Sequence, residues 1–349
     1  MLPGVFNTTY AKDMAIVRTK LQFLAVLLGL AFILTLPLYL NPYWVSFLVY
    51  LCITIIAALG LHILTGLCGQ ISLGQSALMG VGAYTSGILI SKLGMSPWLT
   101  LPLAGLSAGF IGCIFGAPSL RVKEFYLAMS TLAAQFIIIW VIIHWDSLTG
   151  GSNGLYIPTL RLGTIKLGSG VKFSYVAIIL AVLAIVGAKN IQRTRAGRAF
   201  IAIRDNDLAA EAMGVNLFRF KFLAFFIGCF YAGVAGWLWA FYMRYINPEQ
   251  FGLLASLWLL GMLIVGGIGS TTGTVLGAIL IRLLDMLSDF LATKLGELYP
   301  SVGAQSFSAF GLMLFGVVLA TFLILEPRGL YHRWEILKAY WRLYPYSRK

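Results

Sequence analysis

The first arrangement in this chain that spells a reaction is a serine framed as Gly105-Leu106-Ser107-Ala108-Gly109. A G-x-S-x-G spacing presents a nucleophilic hydroxyl when the serine sits on a sharp strand-to-helix turn. These five residues lie instead inside an apolar run, and neither His62 nor His144 has an acid nearby in sequence to orient it, so a serine hydrolase is set aside. The glycine pairs Gly105/Gly109 and Gly112/Gly116 and the series Gly269/Gly273/Gly277 recur every four residues, the spacing that lets two helices approach closely. No H-E-x-x-H, C-x-x-C or G-x-x-x-x-G-K-[ST] occurs, and Gly269 to Gly273 lacks the lysine a phosphate loop needs. The four cysteines, Cys52, Cys68, Cys113 and Cys229, lie within or at the break of apolar runs without metal-ligand spacing and read as packing residues. Neither a catalytic residue nor a metal site is expected. If ATP powers this protein, another chain binds it.

The elements that carry these residues are membrane helices. The chain has 349 residues, 60% of them hydrophobic and only 11% charged, which excludes a water-soluble domain. Apolar runs extend over Leu21–Leu40, Tyr43–Leu64, Ala77–Ser91, Pro97–Pro118, Phe125–Ile143, Phe173–Ala188, Phe222–Met243, Leu253–Gly266, Thr274–Leu284 and Phe307–Leu325. The expected fold is an all-α, polytopic membrane helix bundle of about 8–10 transmembrane helices, broken or re-entrant segments included. The first run follows Lys12, Arg18 and Lys20, exceeds the usual core of a cleaved signal and reads as a retained anchor. Three parts follow: a cytoplasmic N-terminal segment (1–20), a transmembrane domain (21–325) with a cytoplasmic loop at 189–221, and a basic, aromatic cytoplasmic tail (326–349).

The formal net charge of +13 lies in short loops, which points to orientation in the bilayer rather than to nucleic acid. With the N-terminus inside, 18 of the 25 Lys and Arg fall on the cytoplasmic side, so both termini are expected to be cytoplasmic. Arg282 and Lys294 are assigned to an outer loop. Parity then requires Leu253–Leu284 to cross twice or to dip in and return, and something must break that stretch.

Two breaks stand out. Thr65 to Ser76 interrupts two apolar runs with glycine and small polar residues, and the following run, about 15 residues, is too short to span. Gly266 to Gly273 has the same character. Irregular backbone in a bilayer is tolerated only where protein buries it or a wet cavity hydrates it, and interrupted helices mark a transporter's solute path. Gln70, Ser72, Gln75 and Ser76 at the first break, and Gly267, Gly269, Ser270 and Thr271 at the second, are the candidate path residues; satisfying the broken backbone is their alternative role. No Asp, Glu, Lys or Arg is read within the core of an apolar run, which argues against a proton-coupled carrier, and His62 reads as a hydrogen-bonded packing residue.

The largest polar segment joins Ala188 to Phe222. Its centre, Gly197 to Asn216, favours a short amphipathic helix stopped by a left-handed Gly214. Arginines alone would suit anionic lipid, but Asp205, Asp207 and Glu211 interrupt the positive charge, so docking to a protein is favoured. The tail, with Tyr331, Trp334, Tyr340, Trp341, Tyr344 and Tyr346, reads as an interfacial tether.

Four stretches resemble one family in its order: Gly69-Gln70-Ile71-Ser72-Leu73-Gly74 through Gly82-Ala83-Tyr84; Trp145 to Leu155; Gly197 to Asn216; and Gly266-Gly267-Ile268-Gly269. They resemble the permease of branched-chain amino-acid ABC importers, LivM type. The resemblance implies a subunit that moves branched-chain or related amino acids into the cytoplasm by alternating access in a bacterial or archaeal cell (inner) membrane. The implied partners are a sibling permease, two cytoplasmic ATPase subunits carrying ATP and Mg, an extracytoplasmic substrate-binding protein and membrane lipid. It also implies a coupling helix, with Arg198, Arg204, Asp205, Asp207, Glu211 and Gly214 as its candidate residues. The importer signature E-A-A-x-x-x-G is matched by Ala209, Ala210 and Gly214, while Leu208 stands at the acidic position. The competing class is a secondary carrier or channel for small amino acids or amides such as urea, working without ATPases.

Overall fold

The computed structural model describes residues 20–117, 124–162, 165–168, 170–298, 304–326 and 329–343. The N-terminal segment through residue 19, the basic pair Arg121 and Lys123, and Tyr344 and Tyr346 of the tail lie outside the described residues.

The helices are α1 (Lys20–Tyr39), α2 (Pro42–Leu61), α3 (Gln75–Leu93), α4 (Pro97–Gly116), α5 (Glu124–His144), the single turn α6 (Asp146–Thr149), α7 (Val171–Arg193), α8 (Arg195–Asp205), α9 (Asp207–Ala212), α10 (Leu217–Met243), α11 (Leu253–Gly266), α12 (Thr271–Leu298), α13 (Ala304–Leu325) and α14 (Gly329–Leu343). Every apolar run lies on its own helix. Pro42 and Pro97 open α2 and α4, where a missing N–H leaves no bond unmade. Among the described residues, six spans are long and apolar enough to cross a membrane: Pro42–Leu67, Pro97–Gly116, Tyr126–His144, Val171–Arg193, Leu217–Met243 and Pro248–Gly266. A seventh is reached if Met313–Leu325 and Gly329–Tyr340, bent by 49°, are taken together. This is a polytopic helical membrane protein.

Two expectations need correction. Helix α3 is 19 residues long rather than about 15, because Gln75 and Ser76, polar but buried, belong to its first turn and Lys92 and Leu93 to its last. Arg282 is not in a loop: it lies within α12, eleven residues from Thr271, with its guanidinium carbon 5.9 Å from the Tyr50 ring centre on α2.

The core forms where α10 lies against α2, α3 and α4, and glycine makes it tight. A Cβ on Gly105 would meet the Phe230 ring at 2.5 Å, on Gly109 the Phe226 ring at 2.8 Å and on Gly112 the Cys229 sulfur at 2.4 Å. The four-residue spacing is therefore a packing seam. Ser107 lies on that helix with its hydroxyl 3.0 Å from both Thr85 Oγ1 and the Ala104 carbonyl, far from any strand-to-helix turn. All four cysteines are buried, and none is in a disulfide.

At one end of the bundle, β1 (Leu155–Tyr156) pairs antiparallel with β4 (Tyr245–Ile246), and β2 (Leu160–Leu162) pairs with β3 (Ile165–Leu167). Helices α8 and α9 occupy the other end.

Candidate functional site: two broken helices and the segment that holds them

Helix α2 does not stop at Leu61 but widens into a π-helical turn, His62–Leu67, before the chain leaves helical geometry. Such turns frequently mark functional sites. The Gln75 side chain, at the start of α3, donates from Nε2 to the carbonyls of Ala57 (3.4 Å) and Gly228 (3.2 Å). Ala57 lies ten residues before Leu67, about 15 Å back along the helix. The stretch Cys68–Gly74 therefore climbs back beside α2 inside the bundle, and α3 starts at depth. Gly69 turns the chain at φ +74°, where a Cβ would press on Arg204.

The α3 N-terminus would leave buried N–H groups unpaired. Side chains from other helices take them: Ser76 N donates to Ser256 Oγ at 2.9 Å, and Ala77 N donates to Gln135 Oε1 at 3.0 Å. Gln135 Nε2 in turn donates to the Phe251 carbonyl at 2.6 Å, so α5, α11 and the first break meet in one buried polar knot. Replacing Ser256 by Ala is expected to destabilise the fold by roughly 1–3 kcal/mol, because it orphans a buried N–H. A thermal melt of the detergent-solubilised protein reads this out, with Ser46→Ala, whose hydroxyl bonds within its own helix at an exposed position, as the near-neutral control.

Of the candidate path residues at this break, Gln70, Ser72, Gln75 and Ser76 are all buried. Ser76 is taken up in the knot, with its hydroxyl 2.8 Å from both the Gly252 carbonyl and Ser256 Oγ. Ser72 Oγ accepts from Gly74 N at 3.4 Å. Gln70 is different: both side-chain polar atoms are sealed from solvent without a partner, as are Gln75 Oε1 and His62 Nδ1. Three orphaned residues gathered at one break are costly groups, each desolvated without compensation.

The second break runs from Gly267 (φ +110°) through Gly269 (φ +96°), a conformation reserved for glycine, before α12 starts at Thr271. Ser270 Oγ accepts from Gly273 N at 3.1 Å and so closes the first turn. The tail reaches this break. Gly329 sits on Gly267, where a Cβ would come within 2.5 Å of the Gly267 Cα, and the Tyr331 hydroxyl bonds Ser270 and Thr272. The first part of the tail is thus packed on the break, while Trp334 and Tyr340 remain exposed.

The two breaks are tied to each other. Gln192, in the last turn of α7, has Nε2 3.4 Å from His62 Nε2 and 3.4 Å from the Gly269 carbonyl, while its Oε1 accepts from Thr271 Oγ1 at 3.0 Å. Arg204 on α8 donates from Nη1 to the Gly66 carbonyl at 2.9 Å, and a Cβ on Gly269 would lie 2.7 Å from that same nitrogen. Fully buried His62 is a packed, bridged residue, as its sequence context suggested. Gln192, Gln135 and Ser256 escape a sequence reading. Gln135, a lone amide inside an apolar run, gave a usable signal; Gln192, at a helix end among polar neighbours, gave none.

The polar segment is two helices rather than one. Thr194, Asn206 and Asn216 cap α8, α9 and α10 in turn, each accepting from the backbone N–H three residues on, and Asn206 sets the bend. Gly214 is left-handed at φ +86° as expected. Arg204 points inward to Gly66 and also pairs with Asp205 at 2.9 Å; Arg198 donates to the Arg193 carbonyl; Asp207 stands 4.0 Å from Lys221. What α9 and the turn after it present outward is an apolar pair among acids: Leu208 is 74% and Met213 86% exposed, with Asp207 and Glu211 exposed beside them.

A membrane bundle whose interior is entered by two broken helices, both held by one polar segment, has the architecture of a transport permease. Residues 43–325 match the family described as the permease component of branched-chain amino acid transport systems. The chain is 30% identical over 344 residues to the high-affinity branched-chain amino acid transport system permease protein LivM of Escherichia coli, covering 92% of this chain and 76% of that one. It is 26% identical to LivH of the same organism, over 81% of this chain and 92% of that one. It is 28% identical to the autoinducer 2 import system permease protein LsrC of an Enterobacter species, over 70% and 73%. The chain belongs to the branched-chain amino acid permease family of ABC importers, as a LivM-type member.

Proposed function

We propose that this chain is one of two permease subunits in the (inner) membrane of a bacterial or archaeal cell, passing a branched-chain or related amino acid inward while separate subunits hydrolyse ATP. Its companions in this reading are a sibling permease of related fold, two ATPases, which carry the ATP and Mg, and an external binding protein. The end bearing α8 and α9 is the cytoplasmic one, and both termini lie on that side. The similarity to both LivM and LivH supports the pairing of two related permeases. The similarity to LsrC, whose import system serves a different solute, supports a choice of substrate made outside the shared scaffold.

One observation carries the reading: Arg204 and Gln192, at the ends of α8 and α7, hold the carbonyls of Gly66 and Gly269, so a push on this segment is delivered to both broken helices at once. An isolated carrier has no use for an exposed apolar knob attached to such a clasp. Leu208 and Met213 fill a groove of the ATPase, and closure of the ATPase pair on ATP pulls α8–α9 toward the sibling's corresponding segment and works the clasp, so that the permease pair rocks between outward and inward states. Opening gives Gln70, Gln75 and His62 the partners they lack in the closed arrangement. The neutral dipoles of the first break then suit the two ends of a zwitterion.

The test is uptake by proteoliposomes holding both permeases and both ATPases, with binding protein outside and ATP inside. Leucine should accumulate only when all are present. Uptake by this chain alone down an ion gradient would overturn the proposal in favour of a secondary carrier. In the same preparation, Leu208→Glu combined with Met213→Glu should lower ATPase co-purification at least about tenfold, since it places charge in a desolvated contact. Normal co-purification would remove the knob from the docking surface.

A further inference from the structure

The second half of α12 carries charge that the clasp and the coupling segment do not use. Arg282, Asp285, Asp289 and Thr293 follow one another at intervals of three, four and four residues, which at about 100° per residue places them in one stripe along the helix. Leu283, Leu287 and Phe290, all exposed, lie about a third of a turn away, and Ile281 and Ser288 on the buried side. The depth of the stripe follows from its neighbour. Tyr50, under the Arg282 guanidinium, is eight residues into α2, about 12 Å from the strand-bearing end of that helix, and its hydroxyl reaches Met243 Sδ at the close of α10. The stripe therefore starts inside the bundle and rises toward the end opposite α8 and α9.

The innermost step is a pair with spare capacity. Arg282 Nη1 bonds Asp285 Oδ2 at 3.0 Å, but Arg282 Nε is buried without an acceptor and Asp285 remains 37% exposed. Asp285 lies beside the apolar side chains of Trp258, Ile281, Leu284, Leu314 and Phe315. Charges kept within a spanning helix are costly facing lipid and are retained where water or a charged ligand meets them. Asp289, one turn beyond, makes the stripe net negative and so favours an approaching ammonium group.

We infer that this stripe lines the outer vestibule through which solute enters, with Arg282 and Asp285 receiving the carboxylate and ammonium of a zwitterionic aliphatic amino acid. The inference rests on the importer reading above and adds a binding step to it. Binding is non-covalent: the orphaned Nε gains an acceptor, and Asp285 exchanges part of its contact with Arg282 for the ammonium.

The test uses the assembled transporter in right-side-out vesicles and a membrane-impermeant cationic methanethiosulfonate. The native cysteines are buried, which keeps the background low. Asp285→Cys and Asp289→Cys should react at least about tenfold faster than Leu283→Cys and Leu287→Cys, and leucine should slow the reaction at Asp289→Cys, a variant that leaves Arg282 and Asp285 in place. Equal rates on the two faces, or no protection by leucine while the unsubstituted transporter still takes leucine up, would overturn the inference alone; absence of uptake by the unsubstituted transporter strikes the importer reading instead. Independently, Arg282→Leu should raise the KM for leucine about tenfold or more, with Arg282→Lys recovering part of it. A purely structural arginine would reduce the amount of active transporter at constant KM, and that result would also overturn the inference.

Discussion

Gln192→Leu is expected to reduce ATP-driven uptake by about 10- to 100-fold while the chain inserts and assembles normally. The amide makes three contacts of hydrogen-bond length, to His62, Gly269 and Thr271, and leucine makes none. At about 1 kcal/mol net for each neutral bond, the clasp between the breaks loses about 2–3 kcal/mol, enough to shift a closed–open equilibrium by one to two orders of magnitude. ATP hydrolysis should continue, because nothing in the exposed knob at Leu208 and Met213 has changed. The signature is a high ratio of ATP consumed to leucine moved in proteoliposomes; a normal ratio at normal uptake would exclude Gln192 from the coupling. Arg204→Glu should act in the same direction and further. It removes a charge-assisted bond to the Gly66 carbonyl and puts a carboxylate against a buried acceptor. Charge reversal at this position thus acts on the gate itself rather than on an electrostatic contact with the ATPase.

The second large effect lies in the seam. Gly82→Leu should prevent accumulation of folded protein. A Cβ at Gly82 would stand 2.4 Å from the Gly233 carbonyl oxygen, and Gly236 on the facing helix is as tightly enclosed, 1.9 Å from the Met79 carbonyl. Backbone, not a movable side chain, meets the added atoms on both sides. Relief requires α3 and α10 to separate along their length, at a cost of about 3 kcal/mol or more. Gly29→Leu is the matched control: nothing stands within 4 Å of its Cβ position, and its effect should be small. Size-exclusion profiles and thermal melts in detergent separate the two. A monodisperse Gly82→Leu protein with an unchanged melting temperature would show that the helices cross elsewhere.

The helical class and the two breaks were legible, though about 8–10 transmembrane helices were expected and six or seven spans qualify among the described residues, because a bilayer imposes one rule on every spanning segment: apolar side chains outside and each backbone group paired. Departures from that rule, Gly69 with Gln70 and Gly267 with Gly269, therefore stand out against their surroundings. The four-residue glycine spacing was readable as contact for a related reason, since only small residues let helix backbones meet. Arg282 was misplaced because its run, Thr274–Leu284, is short and ends in charge, and a linear pattern cannot separate a helix end from an amphipathic half-helix. The polar segment was legible as amphipathic and capped, but not as two helices, because the bend at Asn206 depends on a cap that competes with continuing the helix.

The amino-acid order alone determined that this is a many-helix membrane protein with two interrupted helices and a charged, amphipathic segment. Those properties depend on hydropathy, glycine and helix caps, which act over neighbouring residues. Only the tertiary structure decided that the interruptions meet, that Gln192 and Arg204 bind them together, and that Ser76 bonds a second helix and its preceding turn. A single amide or guanidinium has no period to reveal it. Its partner is a carbonyl tens to more than a hundred residues away, and only packing of the whole bundle brings the two within hydrogen-bond reach.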